Sequence, residues 1–204
     1  MGIWRFLAAL VAVQLAINLG GLIARARGDH FPPLWNLDAE ANIPVWWSAV
    51  LLLTVSGLAA ALAWADEERS RAPLWLLAAA VLAFLSLDEV AGLHERLGDA
   101  ITADDGNIRQ WVLVLGPVLL VLVAILARLL GALSSRERIL AAAAVGFYVL
   151  ALAVEALSIW DEGGREYVAV AVEENSEMLA SALAATALLS ALTRRVSIRR
   201  VSGG

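Results

Sequence analysis

The sequence predicts an all-α, polytopic membrane bundle of six transmembrane helices with both termini cytoplasmic. Three observations predict it. The 204 residues are 61% hydrophobic with a mean hydropathy of +0.76, whereas soluble domains are nearer half apolar. The apolar residues lie in blocks long enough to cross a bilayer, which takes about 20 residues at about 1.5 Å each. The fifteen cations, all Arg and none Lys, are distributed unevenly between alternate connections. With both termini inside, ten Arg fall on inner segments and five on outer ones, which is the positive-inside bias.

The six spans are taken in order. The first covers about residues 3–24 by its apolar run. Its end, "IARA", resembles a small-residue cleavage site, but the length of the run and the presence of Gln14 and Asn18 mark a retained helix. "RARGDHFPPLWNLDAEANIP" follows, and its paired prolines and Pro44 exclude a continuous helix. The second span, about 45–65, contains "SGLAAALA", where Gly57 and Ala61 offer close packing within the bundle or between subunits. "ADEERSRAP" reads as a solvated turn closing on Pro73, a favourable first helical residue. The third span, about 73–97, ends in "SLDEVAGLHE". The fourth, about 111–131, holds Gly116-Pro117, a bend at most. The fifth, about 139–160, carries Tyr148 and Glu155, and the sixth, about 167–192, carries Glu173, Glu174 and Glu177. Residues 193–204 form a basic cytoplasmic tail, "RRVSIRR" at its centre, expected to be loose and to meet anionic head groups. Most of the eight Trp sit at predicted helix ends, as an aromatic belt does. The chain reads as one transmembrane domain, 1–204, with no separate soluble domain.

Charge inside a bilayer is costly and marks function by default. At about 1.5 Å per residue, Asp88, Glu155, Glu173 and Glu174 lie roughly 6–10 Å below the outer edge of a ~30 Å core, and Glu177 and Gln14 near its middle. Asn18 falls in the same outer layer, with Arg25 at the rim. Four helices, the first, third, fifth and sixth, thus place polar groups at one level. Helical phase gives each of them one polar face: Gln14, Asn18 and Arg25; Asp88 and Glu95, flanked by His94; Tyr148 and Glu155; Glu173, Glu174, Glu177 and Ser181. Glu89 points away from the Asp88 face as a charge partner. Seven carboxylates against about three fixed cations cannot all stay ionised in a low-dielectric site. Either several are protonated or a bound cation completes the balance.

Carboxylates and a histidine on facing helices are ligands for a divalent metal. The expected ligands are Asp88, His94, Glu95, Glu173 and Glu177, with Gln14, Asn18, Arg25, Glu89, Tyr148, Glu155 and Glu174 as charge and hydrogen-bond partners. The set departs from di-iron bundles, because Ala91 stands three residues before His94. A metal-dependent hydrolase is one use of such a site. The alternatives are a structural or accessory subunit with protonated acids as a hydrogen-bonded core, and a proton- or cation-coupled transporter. The sequence contains no Cys, which excludes Fe–S clusters, thiolate zinc and Cys nucleophiles, and it carries no haem or nucleotide motif. The expected partners are the lipid bilayer and a homo-oligomer or larger membrane complex, with no nucleic acid. The Ala, Leu and Arg bias suggests a GC-rich bacterial genome, and hence the bacterial inner (cytoplasmic) membrane.

"FLSLDEVAGLHERLG", followed about eighty residues later by "VEENSEML", resembles a group of uncharacterised bacterial multi-pass membrane proteins. These carry S-x-D-E, then H-E, and later E-E-x-x-E-[ML]. The resemblance implies no reaction. It implies that Asp88, Glu89, His94, Glu95, Glu173, Glu174 and Glu177 belong to one constellation.

Overall fold

A computed structural model describes residues 2–27, 33–35, 42–93, 96, 108–158 and 166–202. Six α-helices carry the fold: α1 (Ile3–Ala26), α2 (Ile43–Ala65), α3 (Ala72–Ala91), α4 (Ile108–Leu129), α5 (Ser135–Ser158) and α6 (Glu166–Ser202). Short 3-10 turns stand at Pro33–Trp35, Arg69–Arg71 and Leu130–Ala132. Five of these helices are long and apolar enough to cross a membrane, and the shorter apolar stretch Gly116–Ala132 covers the later part of α4 and the turn after it. The six-helix, all-α expectation holds. Large apolar side chains face outward from the bundle, Leu120 at 72% exposure among them. Such a surface fits hydrocarbon rather than water.

α6 is the central element. It packs on α5, α2 and α1, while α3 packs on α2 and α4. Small residues permit the close approach: Ala180, Ala182, Ala185 and Ala191 of α6 are completely buried, as is Ala59 of α2. Between helices in lipid there is no hydrophobic driving force, so small residues and interhelical hydrogen bonds do the packing. The α2–α3 hairpin shows both devices. Ser56 Oγ donates to the Ala79 carbonyl at 2.7 Å, and Ser86 Oγ donates to the Ala49 carbonyl at 2.8 Å. The two bonds are reciprocal and fix the antiparallel register. Gly57, by contrast, is exposed with open space around it, so the close-packing face is Ser56, Ala59 and Ala63 and not Gly57–Ala61.

Three helix ends differ from the sequence expectation. α3 stops at Ala91, not near 97, because Gly92 takes a left-handed conformation (φ 54°, ψ 41°) with its N–H on the Asp88 carbonyl at 2.8 Å. Glycine tolerates that conformation at a helix C-terminus and other residues do not. Glu95, expected on the Asp88 face, lies outside the described residues. α6 runs on to Ser202, so the tail is helical where a loose segment was expected. α5 starts four residues earlier than expected, at Ser135 instead of about 139, because Ser134 and Glu137 form a capping box. The Ser134 N–H donates to Glu137 Oε2 at 2.7 Å and the Glu137 N–H to Ser134 Oγ at 3.4 Å, the reciprocal pattern that satisfies two orphan donors.

Candidate functional site

The candidate site lies in the half of the bundle away from the two termini. Asp88 is 5% exposed on the last turn of α3. Glu89 follows it, and Glu173, Glu174 and Glu177 lie half-buried on α6. Each of these five carboxylates is engaged in an interaction. Tyr148 of α5 shares a 2.6 Å hydrogen bond with Ser181 of α6. Glu177 and Glu89 both lie within electrostatic range of the Tyr148 hydroxyl. So Glu89 of α3 and Glu177 of α6 share an electrostatic neighbourhood with Tyr148 of α5. Glu89, expected to point away, belongs to this neighbourhood. Ser176 and Thr186 spend their hydroxyls on the carbonyls of Val172 (2.6 Å) and Ala182 (2.7 Å), one turn back. Among the described residues, no three His, Asp or Glu side chains stand close enough together to hold one metal ion. His94 and Glu95, and the side chains of Arg25 and Glu155, lie outside what is described.

Gln14 and Asn18 go elsewhere. Gln14 Nε2 donates to the Asn175 carbonyl at 2.9 Å and to Asn175 Oδ1 at 3.2 Å, and Asn18 Nδ2 donates to the same Oδ1. Asn175 is two positions before Glu177, which is about 200° around a helix. α1 therefore supplies its polar face to a side of α6 away from Glu177. The expected four-helix layer divides into acids on α3 and α6 near Tyr148 and an amide cluster between α1 and α6. The sequence reading missed Asn175, which stands between Glu174 and Glu177 and was passed over as their neighbour.

A second polar assembly occupies the end of the bundle that carries the termini. Asp66 is 3% exposed. It accepts from Trp75 Nε1 at 2.8 Å and from the Glu68 N–H at 3.1 Å, and it forms an ion pair with Arg195 Nη2 at 3.2 Å. Arg195 also donates to the Ala132 carbonyl at 2.9 Å and lies over the Trp75 ring, 5.6 Å from its centroid. Beside it, Glu137, 1% exposed, takes both Nη2 (2.8 Å) and Nε (3.2 Å) of Arg194 and the Ser190 hydroxyl at 3.2 Å. Arg136 covers the Trp4 ring at 4.4 Å. This clasp ties together the ends of α1, α2, α3, α5 and α6 and the turn after α4. The solvated-turn reading of Asp66 fails, and Arg195, 5% exposed, turns its charge into the protein, while Arg194 pairs with Glu137 from an exposed position. Trp75 likewise leaves the aromatic belt for the clasp. The capping-box spacing of Ser134 and Glu137 was legible in the sequence, but its Arg194 partner was not.

Fold and site together define an integral membrane protein: a helix bundle, clasped by buried ion pairs at one end and carrying acidic side chains on α3 and α6 towards the other. The chain belongs to the family described as a domain of unknown function (DUF8692), whose model matches residues 4–192. No curated protein and no solved structure matches it.

Proposed function

We propose that this membrane protein binds a cation in the chamber between α3, α5 and α6. Asp88 and Glu177 are the carboxylate donors among the described residues, and Glu89, Glu173, Glu174 and Tyr148 shape the field around them. His94 and Glu95, just beyond the Gly92 turn, complete the donor set that the sequence suggests. The observation that supports the reading is that Glu89 of α3 and Glu177 of α6, 88 positions apart in the sequence, both act electrostatically on Tyr148 of α5. Clustered carboxylates in low dielectric repel one another unless a proton or a cation is shared between them. A divalent ion held by oxygen donors meets that requirement.

Access is from one side in this reading. Towards the clasp, α6 buries Met178, Ala180, Ala182, Ala185, Ala187 and Ala191 in tight packing, which favours a binding chamber over a through-path for ions. In this reading the chamber faces the outer side of a bacterial cytoplasmic membrane, an orientation that the Arg distribution supports. A structural role in a larger membrane complex is the second reading, favoured by the Tyr148–Ser181 bond, which already ties acid-bearing helices together without a metal.

Metal analysis of the protein purified without chelator tests the first reading. We expect one divalent ion per chain, lost in Asp88→Asn and in Glu177→Gln, with both variants monodisperse. Metal-free protein that stays folded and gains no thermal stability from added Mn2+, Zn2+ or Ca2+ would leave the acids with a structural role.

A further inference from the structure

A cleft of about 570 Å³ runs along the outside of the bundle between α1, α5 and α6. That volume suits a small molecule or a lipid chain. Its walls are apolar, with Leu15, Phe147, Val172 and Leu179 among them, and Gln14 and Asn175 form its polar floor. All of these residues lie within membrane-spanning stretches, so the cleft opens to hydrocarbon and not to water.

The floor is incomplete. The Asn175 carbonyl can only accept, so Gln14 must turn its Nε2 towards it, and Oε1 faces the other way. Asn175 Nδ2 is likewise committed to the Ala171 carbonyl at 2.6 Å, so Asn175 Oδ1 receives Asn18 Nδ2, and Asn18 Oδ1 is turned away. Two backbone carbonyls thus fix the orientation of all three amides. Among the described residues, Gln14 Oε1 and Asn18 Oδ1 are left buried with no hydrogen-bond partner, and Gln14 is 5% exposed. A buried acceptor without a donor is costly, and in hydrocarbon the bilayer supplies none.

We propose that this cleft binds a neutral lipid with a hydroxyl head and a long apolar chain, its O–H donating to Gln14 Oε1. The chemistry selects the class. Open acceptors call for a donor, which excludes esters and ethers as the recognised group. The depth of Gln14, roughly 17 Å along α1 from its start, excludes an ionic head, whose burial there is far more costly than that of one hydroxyl. A long-chain alcohol and a long-chain hydroquinone share the required group. This inference is independent of the cation chamber, which lies on another side of α6.

The test uses the full chain in lipid nanodiscs and a photoreactive probe, geranylgeraniol with a diazirine in its chain, compared with the methyl ether of the same probe. We expect labelling on peptides covering residues 11–22 and 168–179, about fivefold weaker for the ether, as loss of one net hydrogen bond predicts. Excess unlabelled alcohol or a long-chain hydroquinone should compete, and which does so identifies the source. Gln14→Leu should abolish the difference between alcohol and ether. Leu179→Trp, which fills the cleft and leaves the amides alone, should abolish labelling while the metal content stays that of the parent. Equal labelling by alcohol and ether in the parent protein, or labelling that maps outside these two segments, would overturn the proposal without recourse to any variant.

Discussion

At the scale of single residues, the clasp sets the largest energies. Asp66 and Arg195 are both buried, with side-chain exposures of 4% and 6%. Removing one member of such a pair leaves the other charge buried and uncompensated, at a cost of about 3–5 kcal/mol. Asp66→Asn keeps an acceptor for Trp75 but strands Arg195. We expect a loss of that size in detergent unfolding, with a substantial part recovered in Asp66→Asn/Arg195→Met, and near-additive losses would refute the pairing. Gly20 makes a contrasting demand. A Cβ there would stand 2.5 Å from Trp35 Cε3, so the turn at Pro33–Trp35 rests on bare backbone of α1. Gly20→Ala should cost about 1–3 kcal/mol by overpacking, and thermal denaturation should show that cost disappear in a Trp35→Ala background. Trp35 was expected in the aromatic belt. Its contact with Gly20 sets an indole ring against helix backbone 15 positions earlier in the chain, which no local pattern encodes.

At the scale of elements, one glycine decides where α3 ends. The positive φ of Gly92 closes the helix directly after the acidic turn, so Asp88 and Glu89 sit where the chain turns. Gly92→Ala should destabilise by about 1 kcal/mol through the left-handed conformation and should also lower metal retention, since it shifts Asp88. A change in unfolding with unaltered metal content would separate the helix end from the chamber. The helices themselves were legible because each apolar block exceeds the length of a bilayer crossing and turn residues punctuate the gaps. Their ends were less legible. Helical phase was extended from Asp88 through Gly92 to Glu95, although a glycine near a helix end is the usual sign of a C-terminus. α6 was cut at 192 because apolar periodicity fades there, yet Arg194 and Arg195 continue the helix and pair with Glu137 and Asp66. Charges at helix ends look solvated when their partners lie elsewhere in the chain. Asp66 and Arg195 are 129 positions apart, and nothing local announces their pairing.

At the scale of the whole molecule, the clasp and the chamber stand in different parts of one bundle, and orientation decides which solvent meets each. The acid layer was partly legible because depth follows from counting residues at about 1.5 Å each. Its division was not, since depth alone cannot say that Gln14 and Asn18 meet Asn175 on another side of α6. The 37 residues of α6 span about 56 Å at that rise, well beyond a ~30 Å hydrocarbon core, so its final turns stand clear of the membrane beside the clasp. An inward position for that end follows from its Arg content. The chain has no cysteine, so single introduced cysteines report topology without background. Ser70 and Ser197 are exposed at the clasp end, and Leu34 is exposed in the turn after α1. In intact cells, a membrane-impermeant maleimide should label Leu34→Cys and leave Ser70→Cys and Ser197→Cys unlabelled until the membrane is opened. The reverse pattern would turn the chamber towards the cytoplasm, where its cation would equilibrate with the cell interior. Labelling of Ser70→Cys and Ser197→Cys from opposite sides would break the up-and-down arrangement on which both assemblies depend.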